Sequence, residues 1–190
     1  MTLAVTAFAN CEDVNYIVTP DLKHSAQASR LLFIDLNGNT QLPLGGSALA
    51  QVYSQLGDQA PEVDLELLQR GVHVVHSLIK QGHVLAGHDR SDGGLLTTVL
   101  EMAFAGNCGL ELQLPEEVDA VNYLFNEGLG FVLEVDELLC MPLMRTLQDN
   151  HIPAFILGSS CTDRHVTVCD RDCILASDWI DSPGRDNPSG

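Results

Sequence analysis

The sequence predicts an α/β protein with one mostly central sheet. Apolar segments with the pattern of strands alternate with segments that repeat every three to four residues, and the connections between them are short. The chain has 190 residues, of which 45% are hydrophobic, which is enough for one domain with a sizeable core. It contains no internal repeat. We therefore expect one domain over residues 1–176 and a disordered polar tail over residues 177–190.

Strand-type segments open the chain. Residues 3–9 and 16–18 are apolar and rich in residues that favour strands, so each is predicted as a strand. Pro20 and Asp21 predict a turn after them, because proline presets φ and aspartate can bond its own backbone. Residues 31–36 form a buried-strand candidate, and Asn37-Gly38-Asn39 predicts a hairpin-like turn at its end.

Two helices are predicted next. Gly-Gly-Ser at residues 45–47 opens the first, which extends to about residue 56. The second covers about residues 65–81 and places one apolar face toward the core. That face consists of Leu68, Val72, Val75 and Ile79. His73 and His76 could share a face of this helix and bind a metal, but no zinc-type glutamate accompanies them, so we expect ordinary helix histidines.

The carboxyl-terminal half continues the alternation. Residues 83–87 predict a strand and a helix starts at Leu95, with Asn107 and Gly109 as its stop signal. Asp136 is predicted to cap a helix over residues 137–149. The other predicted elements are strands at 110–114, 129–135 and 153–157, a short helix at 118–125, and a hairpin that joins 165–169 to 173–175.

Charge and cysteine content restrict the class of protein. Twenty-six acidic and nine basic residues give a net charge of −17, and no basic cluster is present, so we expect neither nucleic acid nor an anionic membrane as a partner. The sequence contains six cysteines, but the chain is not small and shows no export signal. We therefore expect reduced thiols in a cytoplasmic protein and not disulfides. Cys161, His165, Cys169 and Cys173 imitate a zinc site, but the C-x-x-C pair is missing.

The segment 87–95, GHDRSDGGL, is the main candidate for a functional site. Its glycines, hydroxyl and helix start suggest a phosphate site, since free backbone N–H groups and the helix dipole attract anions. Asp89 and Asp92 would repel a phosphate unless a hard cation such as Mg²⁺ lay between them. The alternative is structural, with Asp or Ser as a plain N-cap and Gly-Gly as a tight turn.

A longer stretch, residues 87–110, resembles the phosphoribosylformylglycinamidine synthases, glutamine-dependent enzymes of purine biosynthesis. Supporting stretches occur in the same order at 18–23, 44–51, 54–58 and 124–127, reading VTPDLK, LGGSALAQ, SQLGD and LFNE. The resemblance covers about residues 1–170 and is to the second AIR-synthase-like carboxyl-terminal domain of these enzymes. It implies a three-layer α/β/α fold, α/β or α+β depending on the scheme, with a mixed central sheet.

The resemblance also implies a reaction and two binding residues. ATP activates the amide oxygen of formylglycinamide ribonucleotide, and ammonia from glutamine displaces the phosphate to give the amidine. The aspartate matching Asp89 is a Mg²⁺ ligand, and the serine matching Ser91 contacts ATP or ADP, in either a structural or a turnover role. His88, Asp92, Gly93 and Gly94 take positioning and backbone roles, and no residue of this chain is assigned to catalysis.

The sequence departs from the family in three respects. We find no glutaminase domain and none of the amino-terminal AIR-synthase-like domains that supply most nucleotide ligands. Gly128 stands where many relatives carry another acid. We therefore expect a fragment that is inactive alone and has the remaining synthase domains as partners. The alternative hypothesis is a non-catalytic binding module derived from the enzyme.

Overall fold

A central sheet of seven strands organises the part of the chain that this computed structural model describes, which is residues 5–10, 13–23, 28–37, 41–57, 59–116, 118–170 and 173–178. The strands are β1 Ser29–Asp35, β2 Ala86–Asp89, β3 Gly109–Gln113, β4 Gly130–Asp136, β5 Ala154–Cys161, β6 His165–Asp170 and β7 Cys173–Asp178. The helices are α1 Ala48–Val52, α2 Leu65–Lys80, α3 Gly94–Gly106, α4 Ala120–Phe125 and α5 Glu137–Asp149.

The sheet is mixed, as predicted. Its strand order is β2-β4-β1-β5-β3-β6-β7. The pair β3 and β6 is parallel, whereas the other neighbouring pairs are antiparallel. β1 lies between β4 and β5, both of which come from the carboxyl-terminal half, so the first strand of the sheet depends on long-range pairing. β2 lies at one edge.

Helices cover both faces of the sheet, which confirms the three-layer α/β/α architecture. Successive side chains of a strand point to opposite faces, and β1 separates its apolar residues accordingly. Leu31 and Phe33 belong to a core with residues of α3 and α4. Leu32 and Ile34 belong to a second core with residues of α2 and α5. All four β1 side chains are at most 1% exposed, so this strand anchors both cores.

Side-chain caps start four of the five described helices, including the predicted cap Asp136. Ser47 accepts a hydrogen bond from a backbone N–H of α1, and Asp64, Asp119 and Asp136 do the same for α2, α4 and α5. Asn107 ends α3 in the left-handed conformation, as its position predicts. α1 is shorter than predicted, since it ends at Val52.

The predicted core face of α2 is confirmed except at Val72, since Val75 is buried and Leu68 and Ile79 are half-buried against the core. The buried residues of this helix are Leu67, Gly71, Val75 and Leu78. Val72, which was expected in the core, is 44% exposed. Gly71 contacts the core in place of Val72, because it lies so close to the sheet that a Cβ there would be 2.5 Å from the Leu36 side chain. The helix therefore approaches the sheet through a glycine that hydrophobicity does not mark as a contact.

The two amino-terminal strand predictions are also wrong. Residues 5–10 have no regular secondary structure, and Val14–Tyr16 is a short 3₁₀ turn in which the Asp13 side chain accepts from the backbone N–H of Asn15. Residues 1–4 lie outside the described residues. Gly87 of β2 donates to the carbonyl of Thr19, but that single bond does not extend into a ladder. Strand propensity without a paired neighbour did not produce a strand.

Two further predictions concern turns and termini. Gly38 and Asn39 of the expected turn lie outside the described residues, and β1 pairs with β4 and β5 and not with the segment that follows it. The carboxyl-terminal hairpin is confirmed, because β6 and β7 pair antiparallel. The disordered tail was predicted at 177–190, but β7 extends to Asp178 because it pairs with β6, so residues 177 and 178 are strand. Residues 179–190 lie outside the described residues. None of the described helices combines the length and apolarity needed to cross a membrane.

One buried carboxylate connects the chain before β1 to the sheet. Glu134 of β4 is 0% exposed. Its two oxygens accept hydrogen bonds from the backbone N–H of Lys23 and from the Ser29 hydroxyl, each at 2.7 Å. These donors lie on either side of residues 24–27, so Glu134 holds both ends of that connection.

We expect Glu134→Ala to lower the free energy of unfolding by about 2–4 kcal/mol, since it removes two hydrogen bonds and leaves a buried N–H without an acceptor. Glu134→Gln should cost only about 1 kcal/mol, because its oxygen can still accept from Lys23 and the Ser29 hydroxyl can turn to accept from the new amide. The measurement is urea unfolding. Glu137→Ala, in an exposed pair with Arg30, is the control. Equal losses from the three substitutions would contradict the assignment.

Candidate functional site

The polar segment singled out by the sequence lies at the edge of the sheet. β2 carries Gly87, His88 and Asp89, and the chain turns through Arg90 to Gly93 before α3 begins at Gly94. The strand was predicted at residues 83–87 but lies two to three residues later. The reason is its pairing with β4, which extends the ladder as far as Asp89 opposite Phe131. The first half of the segment is therefore held by the sheet and the second half forms a turn.

Asp89 and Ser91 are accessible from solvent. The Asp89 side chain is 66% exposed, and Ser91 and Asp92 on the following turn are exposed as well. Asp89 borders an open groove of about 550 Å³ between the β2 edge and α2. The groove has apolar walls, which include Val18, Val75, Ile79, Phe131 and Leu133. Asp89 thus presents its carboxylate at this groove, whereas Ser91 is exposed on the turn that follows.

His88 lies between two carboxylates. Its Nδ1 is 3.2 Å from Asp89 Oδ1, and its Nε2 is 3.1 Å from Glu101 Oε2 on α3. The imidazole side chain is only 20% exposed, whereas the Glu101 side chain is 53% exposed. The hydrogen bond of Nδ1 is to the backbone carbonyl of Asp89, at 2.8 Å, so the imidazole links the end of β2 to α3. The positioning role expected for His88 stays a prediction.

Arg90 is a buried arginine that the sequence analysis did not single out. It is 3% exposed, and its Nη2 donates to Asp35 Oδ1 at 2.9 Å and to the carbonyl of Leu129 at 3.0 Å. Its Nε donates to the carbonyl of Gly128, and its guanidinium carbon lies 4.7 Å from the centre of the Phe33 ring. Burial lowers the pKa of the guanidinium, and the neighbouring Asp35 opposes that change. A basic residue in a polar segment gave no sequence signal of burial.

Gly93 and Gly94 are required by the backbone of the turn. Both have positive φ, +85° and +74°. A Cβ on Gly94 would lie 2.7 Å from the carbonyl oxygen of Leu124, so the start of α3 packs directly on the end of α4. The alternative interpretation of Asp or Ser as a side-chain N-cap is wrong, because the N-cap residue of α3 is Gly93 and no side chain caps this helix. The glycine pair serves close packing between two helices.

Glu127 takes the position that the sequence analysis left for a phosphate. Its Oε1 accepts a hydrogen bond from the backbone N–H of Gly93 at 2.7 Å. The same oxygen accepts from the N–H of Ala48 at 2.8 Å, at the start of α1. The two Gly-Gly helix starts noted in the sequence therefore converge on one carboxylate. A phosphate cannot use the Gly93 amide while this bond exists.

The loop around Glu127 is closely packed. Asn126 is 0% exposed, and its side chain donates to the carbonyl of Pro43 and accepts from the N–H of Gly128. A Cβ on Gly128 would lie 2.8 Å from the Asn126 side chain and 2.9 Å from that of Asn37. A side chain such as an acid at position 128 would therefore require those asparagines to shift.

The alternative metal and thiol sites have no support in the described part of the chain. No group of three or more His, Cys, Asp or Glu side chains that could hold a metal occurs among those residues. His73 and His76 are exposed on α2. Cys108, Cys140, Cys161 and Cys169 are free thiols, and the side chain of Cys173 lies outside the description. Burial raises the pKa of the Cys108 thiol to about 11. Burial and the neighbouring Asp163 raise the pKa of the Cys161 thiol to about 12.

Comparison with protein families gives one match. Residues 34–170 match the model of AIR synthase related protein, C-terminal domain. The phosphoribosylformylglycinamidine synthase of Homo sapiens is 44% identical over 159 residues, which are 83% of this chain and 12% of the relative. The synthase of Dictyostelium discoideum is 38% identical over 170 residues, again 12% of its length. The chain thus spans about an eighth of these curated relatives.

Solved structures share the fold at low identity. PurL of Thermotoga maritima complexed with ATP matches with a TM-score of 0.65 at 13% identity, covering 87% of this chain and 27% of that one. PurL of T. maritima complexed with FGAR matches with a TM-score of 0.67 at 17% identity, covering 86% and 29%. The hydrogenase maturation protein HypE matches with a TM-score of 0.55 at 18% identity, and the match covers 88% of this chain and 57% of that one. These likenesses confirm the architecture.

We expect Arg90→Lys to destabilise the fold by about 3 kcal/mol, because a lysine cannot satisfy Asp35 and two backbone carbonyls at once. Denaturant unfolding measures the change. Arg145→Lys is the matched control, since Arg145 is exposed on α5. Similar stabilities of the two variants would show that Arg90 is not an anchor.

Cys108 should react slowly with iodoacetamide. Its pKa is raised from an ordinary 9.0 to about 11, and because only the thiolate reacts, its rate at pH 8 should be about 100-fold below that of the unfolded chain. The rate should rise with pH toward the raised pKa. Mass spectrometry of timed labelling gives the rates, with the guanidinium-unfolded chain as reference. Folded and unfolded rates that agree would contradict the prediction.

Proposed function

This chain belongs to the family of AIR synthase related proteins and carries their C-terminal domain, and on that premise we propose that it is part of a phosphoribosylformylglycinamidine synthase. The proposed activity of the whole enzyme is the ATP-dependent conversion of formylglycinamide ribonucleotide and glutamine to formylglycinamidine ribonucleotide and glutamate. The role proposed for this chain is to form one side of a nucleotide and Mg²⁺ site.

The observation that carries the proposal is the similarity to the human synthase over 83% of this chain at 44% identity. Support comes from structural neighbours described as PurL complexed with ATP, ADP and AMPPCP. The segment 87–95 adds a second argument, because it brings a carboxylate and a hydroxyl to an exposed turn beside a groove. The similarity supports the activity of the whole enzyme, and the local chemistry of this segment supports the choice of residues.

We assign Mg²⁺ to Asp89 and ATP or ADP to Ser91. The exposed carboxylate of Asp89 offers the ionised oxygen that a hard cation prefers. The Ser91 hydroxyl can donate to or accept from phosphate oxygens. The bound ion would neutralise phosphate charge next to Asp89. Because the described residues contain no complete metal cluster, the remaining ligands are proposed to come from the nucleotide and from other domains of the synthase.

The proposal has consequences for partners and location. The amino-terminal AIR-synthase-like domains and a glutaminase domain are the proposed partners, since the curated relatives are about eight times longer than this matched segment. A cytoplasmic location is part of the proposal, and the free thiols of the four described cysteines support it. A nucleotide that exchanges with solution during catalysis is turned over, whereas one that stays bound is structural.

We expect Asp89→Asn and Ser91→Ala, made in the polypeptide that includes the remaining domains, to weaken nucleotide retention by on the order of 10-fold to 100-fold. The Asp89 change should act only when Mg²⁺ is present, whereas the Ser91 change should act with or without it. Isothermal calorimetry with ADP, together with the bound Mg²⁺ content, measures both effects. Asp149→Asn, on the exposed end of α5, is the control.

Glutamine- and ATP-dependent amidine formation by the same polypeptide tests the activity. Unchanged Mg²⁺ content and nucleotide retention in Asp89→Asn would show that the assigned ligand is wrong. An assembled polypeptide that folds and binds nucleotide but forms no amidine would instead support a non-catalytic binding module.

A further inference from the structure

We propose that Glu127 is a positioning residue for the turn that carries Ser91 and follows Asp89, in which its carboxylate acts as an internal anion in place of a phosphate. The inference about the turn rests on the contacts of Glu127 alone. Its consequence for the nucleotide rests on the proposed function. The two can be tested separately, because the first needs no ligand.

The contacts of Glu127 are long-range and converge on one atom. Oε1 accepts from Gly93 N at 2.7 Å and from Ala48 N at 2.8 Å, over sequence separations of 34 and 79 residues. Both donors lie at helix starts, where backbone N–H groups lack partners within the helix and carry the positive end of the dipole. A carboxylate there is stabilised as a bound phosphate would be, and it is part of the fold.

The backbone on both sides of Glu127 is fixed independently of its carboxylate. Asn126 bonds to Pro43 and Gly128 at 2.8 and 2.9 Å, and it is 0% exposed. The carbonyl of Gly128 accepts from the buried Arg90. Since Arg90 directly precedes Ser91, the same arginine fixes both the loop of Glu127 and the start of the turn. The carboxylate is therefore presented on a rigid support.

The turn depends on this carboxylate for its last anchor. Gly94 N donates to the carbonyl of Ser91 at 3.0 Å, which closes the turn, and α3 has no side-chain cap of its own. The carbonyl of Gly93 accepts from the Thr97 hydroxyl at 3.1 Å, and Glu127 is the partner of its N–H. Because Gly93 has φ of +85° and no side chain, its peptide N–H is easily reoriented without that bond. Loss of the carboxylate should therefore loosen residues 91–93 while the β2 ladder still holds Asp89.

A consequence for recognition follows. Because Gly93 N–H is already bonded, a nucleotide phosphate has to be contacted by the Ser91 hydroxyl and by the cation on Asp89, not by the first amide of α3. Glu127 thereby prepares the turn before the nucleotide arrives and prevents a phosphate from binding deeper between α1 and α3. Preorganisation of this kind increases affinity because less ordering is needed on binding.

The test is amide hydrogen exchange of this chain with Glu127→Ala and Glu127→Gln. In Glu127→Ala the amides of Gly93 and Ala48 should both exchange at least about 10-fold faster, as expected for loss of charge-assisted hydrogen bonds. Glu127→Gln, which keeps an acceptor oxygen, should change exchange less. Acetate should restore protection of both amides in Glu127→Ala and have no effect on the wild-type chain. Glu111→Ala, at an exposed position of β3, is the control.

The contrary outcomes are distinct. Unchanged exchange at Gly93 and Ala48 in Glu127→Ala would overturn the inference, and so would a uniform increase at all amides, which indicates general destabilisation. In the polypeptide with the remaining domains, Glu127→Gln should weaken ADP binding several-fold and be less than additive with Ser91→Ala. Loss of Mg²⁺ from Glu127→Gln with unchanged amide protection would instead identify Glu127 as a metal ligand and overturn the positioning role. If the amide results hold but ADP never binds, the proposed function fails and the inference about the turn stands.

Discussion

The burial of the Arg90 guanidinium is the interaction on which the rest of the structure depends. It joins the end of β1 through Asp35, the loop before β4 through the carbonyls of Gly128 and Leu129, and the polar turn through its own backbone. A buried cation is tolerated only when its hydrogen-bonding groups are satisfied, so these elements have to meet in one geometry. Arg90 thereby fixes the backbone at this edge of the sheet, on which the neighbouring residues Asp89 and Ser91 lie.

Two further sets of hydrogen bonds hold the backbone of the candidate site. The antiparallel ladder between β2 and β4 fixes the backbone of His88 and Asp89, while the Glu127 carboxylate fixes the far end of the turn at Gly93. The side chains of Asp89 and Ser91 remain exposed between these anchors. A rigid backbone with free polar side chains is the arrangement expected for half of a site that a second surface completes.

The sequence predicted structure best at helix ends, where hydrogen bonds between residues close in sequence determine the conformation. The caps Asp64 and Asp136 and the stop at Asn107 marked helix ends, because each satisfies backbone groups within one turn. Strands were less predictable, since a strand exists only with a paired neighbour, and the apolar segment at residues 5–10 has none among the described residues. Of the candidate site, Asp89 and Ser91 were singled out from the sequence, and their roles stay predictions. The contacts of Arg90 and Glu127 were missed because charged residues usually lie on the surface.

The sequence by itself determined the class of fold, the helix boundaries, the family resemblance and the polar segment from Gly87 to Leu95, because periodicity, capping and residue type act over a few positions. Only the tertiary structure decided the partners of that segment. It placed residues 34 and 79 positions apart from Glu127 on the same carboxylate oxygen, and it buried Arg90 beside Asp35 and Phe33. Contacts between distant parts of the chain depend on how the layers pack, and no local pattern records that packing. The glycines that suggested a phosphate loop therefore hold a carboxylate of the chain itself, and the proposed nucleotide contacts are confined to the side chains of Asp89 and Ser91.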